Sequence, residues 1–182
     1  CCLAAFPAQA ARHALVLGQS AYSDLAPLRN TVGDATGYRG AFEGLGYQVS
    51  FHRDLDTDQF DEALSDFLDL LAPGDEAAFV FAGHGWSADG INYLLPTDMP
   101  AKGSPRLLAR RSLALKNGVN GVLDEIAATG VSLSLAIIDA CRDNPFAAAG
   151  NTRSAGTARG LARVEPDQGS FIVFSAGEGQ TA

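Results

Sequence analysis

A histidine set between two glycines in FVFAGHGWSADG (residues 79–90) and a cysteine closing the apolar run LSLAIIDAC (residues 133–141) are types that combine into a nucleophile and its base. A free thiol titrates near pH 8.5, so it attacks weakly at neutral pH unless an imidazole takes its proton or holds the thiolate as an ion pair. Taken singly, His84 reads as a loop histidine between turn glycines, and Cys141 as a small buried hydrophobe. Their neighbours favour chemistry. Residues 79–82 and 135–138 are apolar or small, as buried strands are, and polar groups crowd in directly afterwards, with Asp139, Arg142, Asp143 and Asn144 around Cys141. The backbone amides of Gly85 and of Cys141 itself are candidate donors for an oxyanion hole, whose loss typically costs about 3 kcal/mol.

Such residues meet only if the intervening chain folds to bring two strand ends together. HALVLG (13–18), YQVSFH (47–52), the strand leading into His84, LSLAIIDAC and SFIVFSAG (170–177) read as strands, and INYLLP (91–96) as a small strand returning from the His84 loop. Between them, Val32, Ala35, Tyr38, Phe42 and Leu45 recur at helical spacing until Gly46 stops the helix. A second helix runs from Thr57, read as its N-cap, through Phe60, Leu64, Phe67, Leu68 and Leu71 to Pro73-Gly74. Val119, Val122, Leu123 and Ile126 give a short third helix, and residues 97–117 form a basic connection with little pattern. Residues 147–169, rich in Gly, Ala and Arg, read as a mobile linker. Alternating strands and helices predict an α/β fold, a mostly parallel sheet with helices on both faces, in which function gathers at the carboxyl ends of the strands. Successive parallel strands are often neighbours about 4.8 Å apart, so His84 and Cys141 are expected to face each other.

Strand alternation places Asp139 on the face of Cys141. A carboxylate beside a nucleophilic thiol disfavours the thiolate, so Asp139 is assigned to bind a cationic group next to the scissile bond rather than to activate sulfur. The plain alternative is a strand-end carboxylate bonded to a neighbouring loop.

The chain has 182 residues, 47% apolar and 19% charged, which suits one globular domain with a real core. A net charge of -8 argues against nucleic acid as a partner. Residues 1–10, CCLAAFPAQA, are apolar and end in a small-x-small pattern, so they read as the tail of an export signal whose front lies outside this sequence. That predicts an exported protein, periplasmic or secreted, with no membrane segment once mature. Cleavage after Ala10 removes Cys1 and Cys2 and leaves Cys141 as the lone thiol, which excludes an internal disulfide. His13, His52 and His84 have no metal-ligand spacing, so no metal or other cofactor is expected.

HALVLGQSAY, LRNTVGDATGYRGAFEGLGYQV, FVFAGHG and LAIIDACRDNPF, in this order, resemble the caspase superfamily, most closely the bacterial caspase-like proteins (orthocaspases) and metacaspases, over about residues 12–177. The His-Gly and Ala-Cys pair lies about 57 positions apart, near the spacing noted for caspases. The resemblance implies a three-layer catalytic domain over residues 11–182, with residues 170–182 beginning a small-subunit-like portion whose sixth strand is missing. It also implies a cysteine endopeptidase with His84 and Cys141 as its dyad. True caspases carry Gln before Ala-Cys and cleave after Asp. This chain has Asp139 there, as metacaspases do, which implies cleavage of a peptide or protein substrate after Arg or Lys. Asp34, in VGDA, matches a metacaspase residue of the same pocket, and Ser175 is counted with these substrate-binding residues. Two carboxylates suit a guanidinium in fork geometry. An enzyme of that specificity would find substrate sites in its own linker, at Arg153, Arg159 and Arg163.

Gly33 stands where the family often has Asn, and Arg-Asp-Asn follows Cys141 in place of Ser-Gly. Some metacaspases need calcium, but no acidic cluster here reads as its site. Competing functions are a legumain- or gingipain-type peptidase of other specificity and a non-catalytic caspase-like interaction module; retention of both dyad residues argues against the module. An α/β-hydrolase is excluded, because GQSAY lacks the closing glycine of Gly-x-Ser-x-Gly.

Overall fold

The computed structural model describes residues 10–141, 145–148 and 161–175. Five parallel strands form the body of the sheet in the order β2 (Gln48–Arg53), β1 (Arg12–Gly18), β3 (Glu76–Ala88), β6 (Leu133–Cys141) and β7 (Ser170–Phe174). β4 (Ile91–Leu94) and β5 (Leu113–Ala114) extend the sheet by antiparallel pairing, β4 on the far end of β3 and β5 on β4. The architecture is α/β, a mostly parallel seven-stranded sheet with helices on both faces, as the alternation of elements predicts.

Period-two alternation sorts each strand between two cores. On one face Ala14, Val16, Ala78, Val80 and Ala82 pack against Ala35 and Phe42 of α1 (Thr31–Gly44). On the other, Leu15, Leu17, Phe79, Phe81 and Ile138 meet Phe60, Leu64 and Phe67 of α2 (Thr57–Leu70), with Val122 and Ile126 of α4 (Val122–Ala128). Gly18 sets how closely α1 rides on β1: a Cβ there would lie 2.8 Å from the Cβ of Ala35. A third cluster, centred on Trp86, Leu95, Met99 and Phe146, packs on the carboxyl-terminal part of β3 and joins the helical turn α5 (Pro145–Ala148) to the sheet.

Several sequence expectations are corrected. The N-cap of α2 is Asp56, not Thr57. Its carboxylate accepts from the Gln59 amide and the Gln59 side chain returns to the Asp56 amide, a reciprocal cap of about 1 kcal/mol. Val119 is 90% exposed and outside α4, which starts after Gly121. The unpatterned stretch 97–117 holds α3 (Pro105–Arg110), begun by a Ser104 cap and a proline at its first position, and then β5. The largest revision concerns His84. β3 does not end before it but continues through Gly83, His84 and Gly85 to Ala88, turning into β4 at Asp89-Gly90.

The linker expectation over 147–169 is also revised where residues are described. Leu161 is buried, both backbone groups of Ala162 are held by the buried Asn92 side chain (2.6 and 2.8 Å), and Lys116 bonds the Glu165 carbonyl and the Asp167 carboxylate. Two buried polar side chains anchor what composition alone leaves loose. Residues 149–160, like the leader residues 1–9, lie outside the described residues. Among the described residues no helix is long and apolar enough to cross a membrane.

Candidate functional site

β3 changes partners at His84. Up to that residue it pairs in parallel with β6, the last rung being His84 opposite Cys141; from Gly85 onward it pairs antiparallel with β4. The flanking glycines serve neither a turn nor a left-handed conformation, since neither has positive φ. They serve close approach: a Cβ at 83 would come within 2.7 Å of the Phe81 ring and 2.8 Å of the Tyr22 hydroxyl. A Cβ at 85 would come within 3.3 Å of Leu161, Ala140 and the Tyr93 carbonyl. His84 therefore sits in a fixed, crowded stretch of sheet.

The imidazole is buried, with 7% of its residue surface exposed, and its Nε2 lies 2.8 Å from the Ala26 carbonyl. A carbonyl can only accept, so Nε2 carries the hydrogen and the neutral ring presents its lone pair at Nδ1. Nδ1 is buried and has no hydrogen-bond partner among the described residues. Burial pushes the His84 pKa below the ordinary imidazole value, an effect the Ala26 carbonyl partly opposes. The ring is thus kept neutral with one basic nitrogen free, the state a general base needs.

Tyr22 completes the setting. Its hydroxyl accepts from the His84 backbone N–H at 2.8 Å and donates to the Leu95 carbonyl at 3.2 Å, while its ring lies 4.6 Å from the imidazole. The loop carrying Tyr22 and Ala26 is pinned by Ser23 N–H to the Thr97 carbonyl and Leu28 N–H to the Ser20 carbonyl. Pro27 biases Ala26 toward extended backbone. Sequence reasoning missed both residues. The tyrosine carried no pattern of its own, and a main-chain carbonyl has no side-chain identity to read, although Ala-Pro after a strand was the available signal.

Asp34 and Asp139 come together. Asp34, in the first turn of α1, and Asp139, two residues before Cys141 on β6, line one depression of about 410 Å³ with Gly33, Gly37, Tyr38 and Ala41. Tyr38 senses both: its hydroxyl pKa is raised, first by burial, then by the charges of Asp139 and Asp34. Asp34 is exposed and Asp139 half-buried. Neither forms an ion pair among the described residues, and both border the open depression.

Ser175 donates its backbone N–H to the Ile138 carbonyl at 3.2 Å, just past the Ile138–Phe174 rung, and so follows the sheet toward Asp139. Gly85 is buried and paired with Leu94. Arg163 is exposed and bonded to Glu165 at 2.8 Å, whereas Arg153 and Arg159 lie outside the described residues.

The family model of the caspase domain matches residues 11–182. A search of curated proteins finds no match. Among solved structures, the protein GSU0716 from Geobacter sulfurreducens is similar at 18% identity and a TM-score of 0.51, over 72% of this chain. That likeness is one of fold, and this chain spans 50% of that chain's length.

Proposed function

The chain belongs to the caspase-domain family of cysteine peptidases, and from that premise we propose that it is an endopeptidase cleaving after arginine or lysine with Cys141 as nucleophile and His84 as base. The observation that carries the proposal is the position of the two-carboxylate depression, whose Asp139 lies two residues from Cys141 and two rungs from the His84–Cys141 pair, on the same side of β6 by strand alternation. A substrate guanidinium or ammonium between Asp34 and Asp139 would set the next peptide bond over that rung.

In the acylation step the Cys141 proton passes to Nδ1 of His84 and the sulfur attacks the carbonyl carbon, forming a tetrahedral oxyanion for which the Gly85 and Cys141 amides are the proposed donors. Collapse breaks the C–N bond, and the proton on Nδ1 leaves with the amine. Water then gives a proton to Nδ1 and attacks the thioester, which releases the new carboxyl end and restores the thiol. Through both steps the Ala26 carbonyl holds Nε2–H and keeps Nδ1 as the basic atom.

The deciding experiment treats the protein with a peptidyl-arginine acyloxymethyl ketone and with its peptidyl-aspartate counterpart, and locates the adduct by peptide mass spectrometry. A single adduct on Cys141 from the arginyl reagent is expected. Labelling by the aspartyl reagent instead would overturn the assigned specificity, and labelling by neither would overturn the peptidase.

A further inference from the structure

Helix α1 contains Gly33, Gly37, Gly40 and Gly44 within fourteen residues. Glycine is the poorest helix former after proline, so a helix keeps so many only at a cost. At Gly18 the reason is contact, since the Ala35 Cβ leaves no room. At Gly33, Gly37 and Gly40 no such reason exists: none has positive φ, and an added Cβ would meet nothing within 4 Å. Backbone conformation and packing both permit a larger residue there.

Two of the three line the depression. Gly33, Gly37 and Ala41 follow one another at a spacing of four, which puts them on a single strip of the helix. That strip lines the depression together with Asp34, Tyr38 and Asp139, and Gly40 is not part of the lining. Helical side chains lean toward the preceding turn, so any side chain at 37 would lie over Gly33 and Asp34.

We infer that Gly33 and Gly37 determine specificity: their missing side chains open the floor along which a long basic side chain reaches Asp34 and Asp139. The depression lies between α1 and the end of β6, and its α1 wall is a gap left in the helix surface. Its width is set at two positions of the sequence, and Tyr38 offers a ring beside them on which a guanidinium can stack. The inference rests on the proposed reading of the depression as the pocket for a basic residue.

The test compares Gly37→Leu with Gly40→Leu in the full chain, with Gly37→Ala as a milder variant. Each is measured for Tm, for kcat and KM on a peptidyl-arginine substrate, and for binding of benzamidine followed by NMR. All three should fold with Tm raised by about 2 to 4 °C, because each replaces a helical glycine with a better helix former. Gly37→Leu should weaken benzamidine binding and raise KM by about tenfold or more, Gly37→Ala by less, and Gly40→Leu by under about twofold. Equal binding by wild type and Gly37→Leu overturns the inference, as does a wild type that binds no benzamidine. Benzamidine binding that Gly37→Leu abolishes, in a wild type that cleaves no arginyl peptide, supports the inference and removes the peptidase reading instead.

Discussion

His84 and Cys141 stand opposite each other on the last rung of the parallel β3–β6 ladder. Adjacent strands lie about 4.8 Å apart, so the two positions are as close as a sheet allows without sharing a strand. Cys141→Ala and His84→Ala are each expected to abolish turnover of an arginyl peptide in a chain that still folds, His84→Ala with a lowered Tm because it removes a buried ring and leaves the Ala26 carbonyl unpaired. Groups that act as a unit are not additive, so the double variant should be scarcely slower than either single one. Steady-state kinetics on the three proteins checks this, and retained turnover in Cys141→Ala would exclude it as the nucleophile.

Burial holds the His84 pKa low, with the Ala26 carbonyl opposing in part, and this fixes the sign of two pH effects. Below about pH 6.5 the unfolded chain binds a proton that the folded His84 resists. Stability contributed by the neutral ring is therefore complete above that pH and is lost as pH falls toward the folded value. The acid limb of kcat/KM, which reports the free base, should accordingly lie below the ordinary imidazole range. A pH–rate profile, with thermal melts of wild type and His84→Asn over the same range, tests both. An acid limb above about 7 contradicts the assignment.

Tyr22→Phe keeps the ring beside the imidazole but removes the acceptor of the His84 backbone N–H and the donor to the Leu95 carbonyl. A buried amide left unsatisfied costs about 1 to 3 kcal/mol, which should appear as a lower Tm. Because the hydroxyl holds the backbone of the proposed base and does not line the two-carboxylate depression, kcat should fall by more than KM changes. An unchanged kcat with a lowered Tm would assign Tyr22 to stability alone.

Asp139→Asn should reduce kcat/KM for arginyl substrates by roughly 2 to 5 kcal/mol of transition-state stabilisation, the range for removing one partner of a hydrogen-bonded charge pair. Asp34→Asn should cost less, because Asp34 is exposed and its interaction with substrate is screened by water. Alkylation of Cys141 by iodoacetamide should be little affected in either. A variant that loses alkylation in step with cleavage would place the carboxylate in thiol chemistry instead.

Self-processing, if the enzyme cuts its own chain, should fall after Arg153 or Arg159 rather than after Arg163. Arg163 lies between Ala162, whose amide and carbonyl are both held by Asn92, and Glu165, whose carbonyl is held by Lys116. Proteases cut segments that can leave their own hydrogen bonds cheaply. Incubating the protein beside its Cys141→Ala variant and sequencing any new N-termini distinguishes the sites. A new end after Arg163 in the active form would show that this anchoring is weaker than its contacts imply.

Residue order in the sequence located the five parallel strands and the two long helices and set the α/β class, because apolar patterning is a local property and Leu133–Cys141 and Thr57–Leu70 write it plainly; it did not show β5 or the full length of β3. It also marked His84, Cys141 and Asp139, by residue type and by their places at strand ends, whereas Asp34 joined them by resemblance alone. Tertiary structure alone decided what surrounds them. The Gly-His-Gly stretch reads as a loop because glycine is the usual residue of turns, yet it is strand. Its glycines answer to Tyr22, Phe81 and Leu161, which lie on other elements or, for Phe81, on the same strand folded into the same core. The Ala26 carbonyl that orients His84 is a main-chain atom with no signature in the residue string, and its aim depends on where the loop after β1 is pinned. The anchoring of residues 161–167 was hidden for a related reason. It depends on the buried Asn92 and Lys116, whose partners lie 70 and about 50 positions away, and long-range hydrogen bonds leave no periodic trace.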